Sequence, residues 1–193
     1  ANPYYPGIVR GIENAAQEAG YTVILCNTDR ARERTQSYLR VLREKRVDGI
    51  IFTGGGIVDD ANRERFFETQ VPAVVIGRQT LPLKAVQIDN VSAAKRAVQF
   101  LLGKGHRSIA TITGPATSTT VRDRLSGYRQ ALAEAGLEVD PAWVVEGDFT
   151  PAGGYTALNR LPWANRLKRP TAIFAQNDLM AIGVMKALKD LGL

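Results

Sequence analysis

Cysteine and histidine are scarce in this chain. Its single cysteine, Cys26, excludes an intrachain disulfide and a thiolate metal site, and its single histidine, His106, gives a histidine triad or a multi-histidine metal centre little to work with. No apolar run approaches the ~20 residues that span a bilayer. There is no GxSxG elbow, HExxH pair or P-loop, and Gly54-Gly55-Gly56 lacks the GxGxxG spacing of a dinucleotide site. The sequence therefore predicts no enzyme, cofactor, metal or membrane partner. The glycine triplet reads as a flexible βα loop. His106, in GKGHRS, reads as a helix-end or loop anchor.

What is present is an ordinary globular composition. At 193 residues and 45% hydrophobic, the chain can build one large domain or two small lobes, each with its own core. The net charge of +6 invites a nucleic-acid reading, yet it is spread. Residues 1–101 hold 14 basic and 11 acidic side chains and the remainder 11 and 8, so each half carries +3. The densest basic cluster, from Arg30 to Arg46, is interleaved with Glu33 and Glu44 and reads as a solvated helix face.

Apolar residues alternate between helical and strand periods throughout, the pattern of a parallel sheet flanked by helices. Ile8, Ile12, Ala15, Ala16 and Ala19 follow helical spacing up to Gly20, and Tyr21–Leu25 reads as a buried strand. The spacing then predicts a helix near 33–46, strands at 47–53 and 73–77, a helix near 60–69, a strand at 85–89 and a helix ending at Gly103. A second lobe opens with a strand at 108–114. It continues with a helix through Leu125, Tyr128 and Leu132, a strand at 143–147, a helix from about Ala152 and a strand over 171–175. GIENAAQEAG at 11–20 and GYRQALAEAG at 127–136 form a weak internal repeat. Either duplication or convergence on one helix ending accounts for it. The chain opens into a helix and stops just past one, so we read it as the middle of a longer protein.

Polar residues gather where strands end. Strand 171–175 runs into Gln176, Asn177 and Asp178, and the strand at 85–89 ends in Asp89 and Asn90. In open α/β sheets these C-terminal edges bind ligands, although Asp178 also reads as a helix N-cap. Tyr4 and Tyr5 precede the first helix of lobe one. Thr117 to Thr120, Arg122 and Arg124 hold the equivalent place in lobe two. Aromatic faces beside guanidinium donors suit a small polyhydroxylated or heterocyclic ligand. A hydrophobic staple for the tyrosines, a surface ion pair for Arg124 and a core position for Phe174 are the competing readings. Met180, Val184, Ala187, Leu188 and Leu191 make one apolar face of the last helix. Ile182 and Met185 add a second, which fits either a subunit interface or burial under further chain.

These segments resemble the effector-binding core of the LacI/GalR family of bacterial transcription regulators. The similarity runs through NPYYPGIVRGIENAAQEAGYTVILCNTD at 2–29, RVDGIIF at 46–52, VQIDN at 86–90, GHRSIATITGP at 106–115 and RDRLSGYRQALAEAGLEVDP at 122–141. EGDFTPAGGY at 146–155 and TAIFAQNDLMAIG at 171–183 complete it. The resemblance implies a two-lobed α/β fold of the type I periplasmic-binding-protein kind, with lobes at 1–101 and 102–193. It implies a small-molecule effector, a sugar or nucleoside-like compound, held between the lobes by Tyr4, Tyr5, Asp89, Arg124, Phe174, Asn177 and Asp178. Operator DNA would be bound through an N-terminal domain absent from this chain, in a cytoplasmic homodimer. A periplasmic sugar-binding protein of an ABC transporter shares the fold and is the alternative.

Overall fold

Short runs of β-branched residues, each followed by an amphipathic helix, produce two separate three-stranded parallel sheets. The computed structural model describes residues 4–28, 31–53, 71–78, 82–162 and 169–193. The chain divides into two compact units, Ala1–Gln87 and Ile88–Leu193. The sequence placed the boundary near Leu101. In the structure the helix over 90–103 falls within the second unit, where it packs on the helix over 119–134.

The first unit contains α1 (Tyr4–Glu18), α2 (Arg32–Glu44), β1 (Ile50–Thr53), β2 (Ala73–Ile76) and β3 (Lys84–Val86). The strands lie in the order β1-β2-β3, with Ile50 opposite Ala73 and Val75 opposite Ala85. Leu39 of α2 packs with Ile50, Phe52 and Val75 to form its core. The expected strand at 21–25 is not formed. Tyr21 is 59% and Leu25 67% exposed. A strand is stable only with a ladder partner, and among the described residues none pairs with this segment. α1 likewise buries no side chain. The lone thiol, Cys26, is partly buried, and that burial raises its pKa. The helix expected near 60–69 and the glycine triplet lie outside the described residues.

The second unit contains α3 (Asn90–Gly103), β4 (Ile109–Thr113), α4 (Thr119–Glu134), a 3-10 turn (Pro141–Trp143), β5 (Val144–Glu146), α5 (Pro151–Asn159), β6 (Ala172–Ala175) and α6 (Asp178–Asp190). β4 is central, in the order β5-β4-β6, and every residue in it is buried. One face of the sheet packs Ile109, with partly buried Phe174, against Val98 of α3 and Tyr128, Ala131 and Leu132 of α4. The other packs Ala110 and Ile112 against Ala157 and Leu158 of α5 and Met180, Val184 and Ala187 of α6. A continuous apolar run such as Ile109–Ile112 is what a strand covered on both faces needs. Buried Tyr128 donates its hydroxyl to the Ile109 carbonyl at 2.7 Å. Desolvation there pushes its phenol up to about 12.

Glycines set the helix crossings. A Cβ on Gly127 would meet the Val91 carbonyl oxygen and lie 2.8 Å from the Lys95 nitrogen, so α3 and α4 touch backbone to backbone. Gly154 and Gly183 do the same for α5 and α6, against Met180 and Pro151 respectively. At the helix ends, Gly20 (φ 79°) and Gly136 (φ 69°), the matched glycines of the repeat, both adopt the left-handed conformation. The following N–H then reaches back to the last turn, from Tyr21 to Ala16 at 2.8 Å and from Leu137 to Leu132 at 2.9 Å. Gly105 and Gly192, outside the repeat, end α3 and α6 in the left-handed conformation as well. The shared ending is therefore a general device of this chain and adds no weight to duplication. His106 anchors the loop after α3, its Nδ1 lying 3.0 Å from the Thr171 hydroxyl.

Substituting Gly127 by Ala should lower unfolding stability by about 1–3 kcal/mol through overpacking. Gly11→Ala, where a Cβ meets open space within α1, should gain about 0.5–1 kcal/mol from helix propensity. Urea midpoints at unchanged m-value check both.

Candidate functional site

Three parallel strands of the second unit end at one edge, and the helix that follows each begins there. The junctions after β5 and β6 are each held by a capping side chain, whereas Ser118 before α4 makes no side-chain cap. After β6, Asn177 is the N-cap of α6: its Oδ1 accepts from the Met180 N–H at 2.9 Å, and its Nδ2 donates to the Phe149 carbonyl at 3.0 Å. The cap is thus Asn177 and not Asp178, which is exposed as the first residue of the helix. Asn177 takes the extended backbone conformation that a cap needs, while Asp178 already follows helical geometry and contributes its charge to the positive N-terminus.

Asp89 caps α3 by accepting from the Ser92 N–H at 3.0 Å. These hydrogen bonds hold its carboxyl below the ordinary carboxylate range. Beyond β5, the exposed Asp148 accepts from both the Thr150 hydroxyl (2.7 Å) and the Thr150 N–H (2.8 Å), which lowers its pKa in the same way. Thr150 in turn caps α5 through the Gly153 N–H at 3.0 Å.

Arg124, half-buried on α4, ties these ends together. Its Nε donates to the Asn90 side-chain oxygen at 2.9 Å, and its Nη1 donates to the Gln176 carbonyl. One guanidinium thereby joins the start of α3 to the end of β6. A delocalised planar cation is suited to this, because it presents several donors in a fixed fork. Gln176 itself is 3% exposed, and neither atom of its side-chain amide has a hydrogen-bond partner.

Phe149 was not singled out in the sequence. It takes a left-handed backbone (φ 68°), and its ring fills the space above Gly114 where a Cβ would sit. A non-glycine residue held there marks a constrained loop. The only sequence signal was its place between Asp148 and the Thr150 cap.

The structure therefore brings Asp89, Arg124, Phe174, Asn177 and Asp178 into the second unit. Phe174 sits partly buried on the β6 face toward α3 and α4. Tyr4 and Tyr5 belong to the first unit, where their rings meet edge to face at 5.4 Å in the first turn of α1. A separate apolar groove of roughly 630 Å³ runs along β6 and is lined by Leu101, Phe174, Val184, Met185 and Leu188, among others. It includes neither Arg124 nor Asn177, so it is distinct from the polar strand edge. Among the described residues no cluster of His, Cys, Asp or Glu could hold a metal ion, and no helix is long and apolar enough to cross a membrane.

A family model described as periplasmic binding proteins and the sugar-binding domain of the LacI family matches residues 1–193. The chain belongs to this family. It is 34% identical to an HTH-type transcriptional repressor PurR from Edwardsiella ictaluri (strain 93-146), covering 99% of this chain and 56% of that protein. It is 36% identical to the ribose operon repressor of Escherichia coli (strain K12), covering 97% and 57%. The LacI-family chain therefore spans little more than half the length of these curated relatives. Among solved structures, a transcriptional regulator CelR–cellobiose complex superposes with a TM-score of 0.84 at 33% identity, covering 100% of this chain and 59% of that one. The fold expected from the sequence, an α/β protein of the periplasmic-binding-protein type with parallel sheets flanked by helices, is the fold observed.

Asn177→Ala should cost about 1 kcal/mol or more, since it removes the α6 cap and the bond to Phe149 together; thermal denaturation measures it. Asp89 and Asp148 have depressed pKa values in the folded protein. Their stabilising contribution is therefore full above the ordinary value of 3.8 and is lost as pH falls through the lower folded-state value. Asn at both positions should flatten the acid limb of stability between about pH 5 and about pH 2 in urea titrations.

Proposed function

We propose that this chain is the effector-binding core of a LacI-type transcription regulator. In this reading a small molecule, a sugar or related metabolite, binds at the strand edge built around Arg124 and alters operator binding by DNA-binding domains elsewhere in the protein. The observation that carries the proposal is the Asn90–Arg124–Gln176 network at the C-terminal edge of a parallel sheet, in a chain whose relatives are repressors. Those relatives favour the regulator over a transporter's periplasmic sugar-binding protein, and over an enzyme.

Asn177, Asp178 and Asp89 supply oxygen and amide groups beside the guanidinium, and Phe174 supplies an apolar surface. Tyr4 and Tyr5, in the first unit, are the aromatic effector contacts that the family resemblance implies. An effector that touches both units stabilises one arrangement of them, and the difference in its contacts between arrangements is the regulatory signal. Such coupling is typically about 1–3 kcal/mol, enough to change operator affinity some 5- to 150-fold. The protein acts in the cytoplasm as a homodimer. The exposed apolar side chains Ile182 and Met185, on the face of α6 away from its own core, support a subunit contact.

A panel of sugars and nucleosides that includes D-ribose and cellobiose, the latter bound by the structural relative, should contain a compound that raises the thermal midpoint by mass action. For that compound, Arg124→Ala should weaken binding by about 1.5–3 kcal/mol, the range for charge-assisted hydrogen bonds. Because Arg124 also ties α3 to β6, the variant should lose some stability without ligand, while Arg124→Lys retains part of the affinity. Calorimetric affinity unchanged in Arg124→Ala removes this residue from the site.

A further inference from the structure

Gln176 is held by its backbone on both sides and unsatisfied in its side chain. Its N–H donates to the Ile112 carbonyl at 2.9 Å, continuing the β4–β6 ladder one residue past β6, and its carbonyl accepts from Arg124. Strand alternation puts its side chain on the same face as Phe174, toward α3 and α4. There Nε2 and Oε1 are both buried with no partner. The hydroxyl protons of the strand threonines are already donated elsewhere, Thr111 to the Phe174 carbonyl at 2.9 Å and Thr113 to the Gly114 carbonyl at 2.9 Å, so neither hydroxyl donates to the amide oxygen. A buried amide without partners has given up its hydration for nothing, so the position is expensive unless something else completes it.

We propose that Gln176 is a specificity-determining residue of the effector site, and that its amide reads a hydroxyl group of the ligand through one donated and one accepted hydrogen bond beneath Arg124. The assignment rests on the effector reading above and extends it to a ligand class. A neutral amide offers a donor and an acceptor side by side. A sugar or ribose hydroxyl, which both donates and accepts, complements that pair, whereas a carboxylate or phosphate leaves the Oε1 acceptor unsatisfied. The assignment requires the side chain to turn from its buried position toward the strand end, where Arg124 meets the Gln176 carbonyl. Glutamine's length allows this where a short residue at the end of β6 would not.

The test compares wild type with Gln176→Leu and Gln176→Met, which keep the volume and delete the unpaired atoms. Stability without ligand is measured by urea denaturation, and affinity by calorimetry with the compounds of the sugar and nucleoside panel that shift the thermal midpoint. Without ligand, both variants should be as stable as wild type or more so. With a hydroxyl-bearing probe, both should bind about 5- to 100-fold more weakly, the loss of two neutral hydrogen bonds. A probe that binds wild type and both variants equally overturns the assignment and leaves the effector reading standing. Variants that lose stability without losing affinity also overturn it, showing that the amide holds an internal partner such as a buried water. If no compound in the panel shifts wild type, the effector reading and this assignment fall together.

Discussion

How closely its helices approach one another governs the second unit. Gly127 lets α4 rest against the backbone of α3, and Gly154 with Gly183 lets α5 rest against α6. These contacts form two tight helical layers, and β4 lies between them with every side chain buried. Dispersion contacts in such a sandwich are lost steeply with small increases in separation. The glycines thus fix how closely the two helices within each layer approach, and with it where the helices stand relative to the strand ends. Arg124 reaches both Asn90 and Gln176 only because α3, α4 and β6 meet within one guanidinium's span.

The polar edge above that core caps its helices with the atoms that the proposed effector site would use. Asn177, Asp89 and Thr150 satisfy first-turn N–H groups that would otherwise be unpaired. The same residues stand at the C-terminal strand edge where ligands bind in open α/β folds. Capping and recognition do not exclude each other, because a carboxylate or amide oxygen has more than one lone-pair site. A side chain already held by its cap is also pre-oriented, which reduces the entropy lost on binding.

Much of this was legible in the sequence because it depends on local periodicity. The strands at 109–113 and 172–175 and the helices between them follow from apolar spacing alone. What the sequence misplaced depends on partners elsewhere. Tyr21–Leu25 has the composition of a buried strand, yet a strand requires a neighbour, and composition does not supply one. Asn177 and Asp178 are both good caps by type, and only the backbone angle at 177 distinguishes them. Gln176 was legible as a polar residue at the strand edge, but its burial without a partner and the left-handed backbone of Phe149 were not, since a missing hydrogen bond and an unusual φ leave no mark on residue identity.

Cys26 has a use that follows from its solitude. These 193 residues carry one thiol, in the first of two compact units, and can be labelled at a single defined position without removing a cysteine from them. Partial burial and the raised pKa make the thiol slow to react near neutrality, so labelling is best carried out in mild alkali. A second cysteine engineered into the other unit would then form a fluorescence energy-transfer pair. Such a pair reads the distance between the two units directly, in solution and as effector is added.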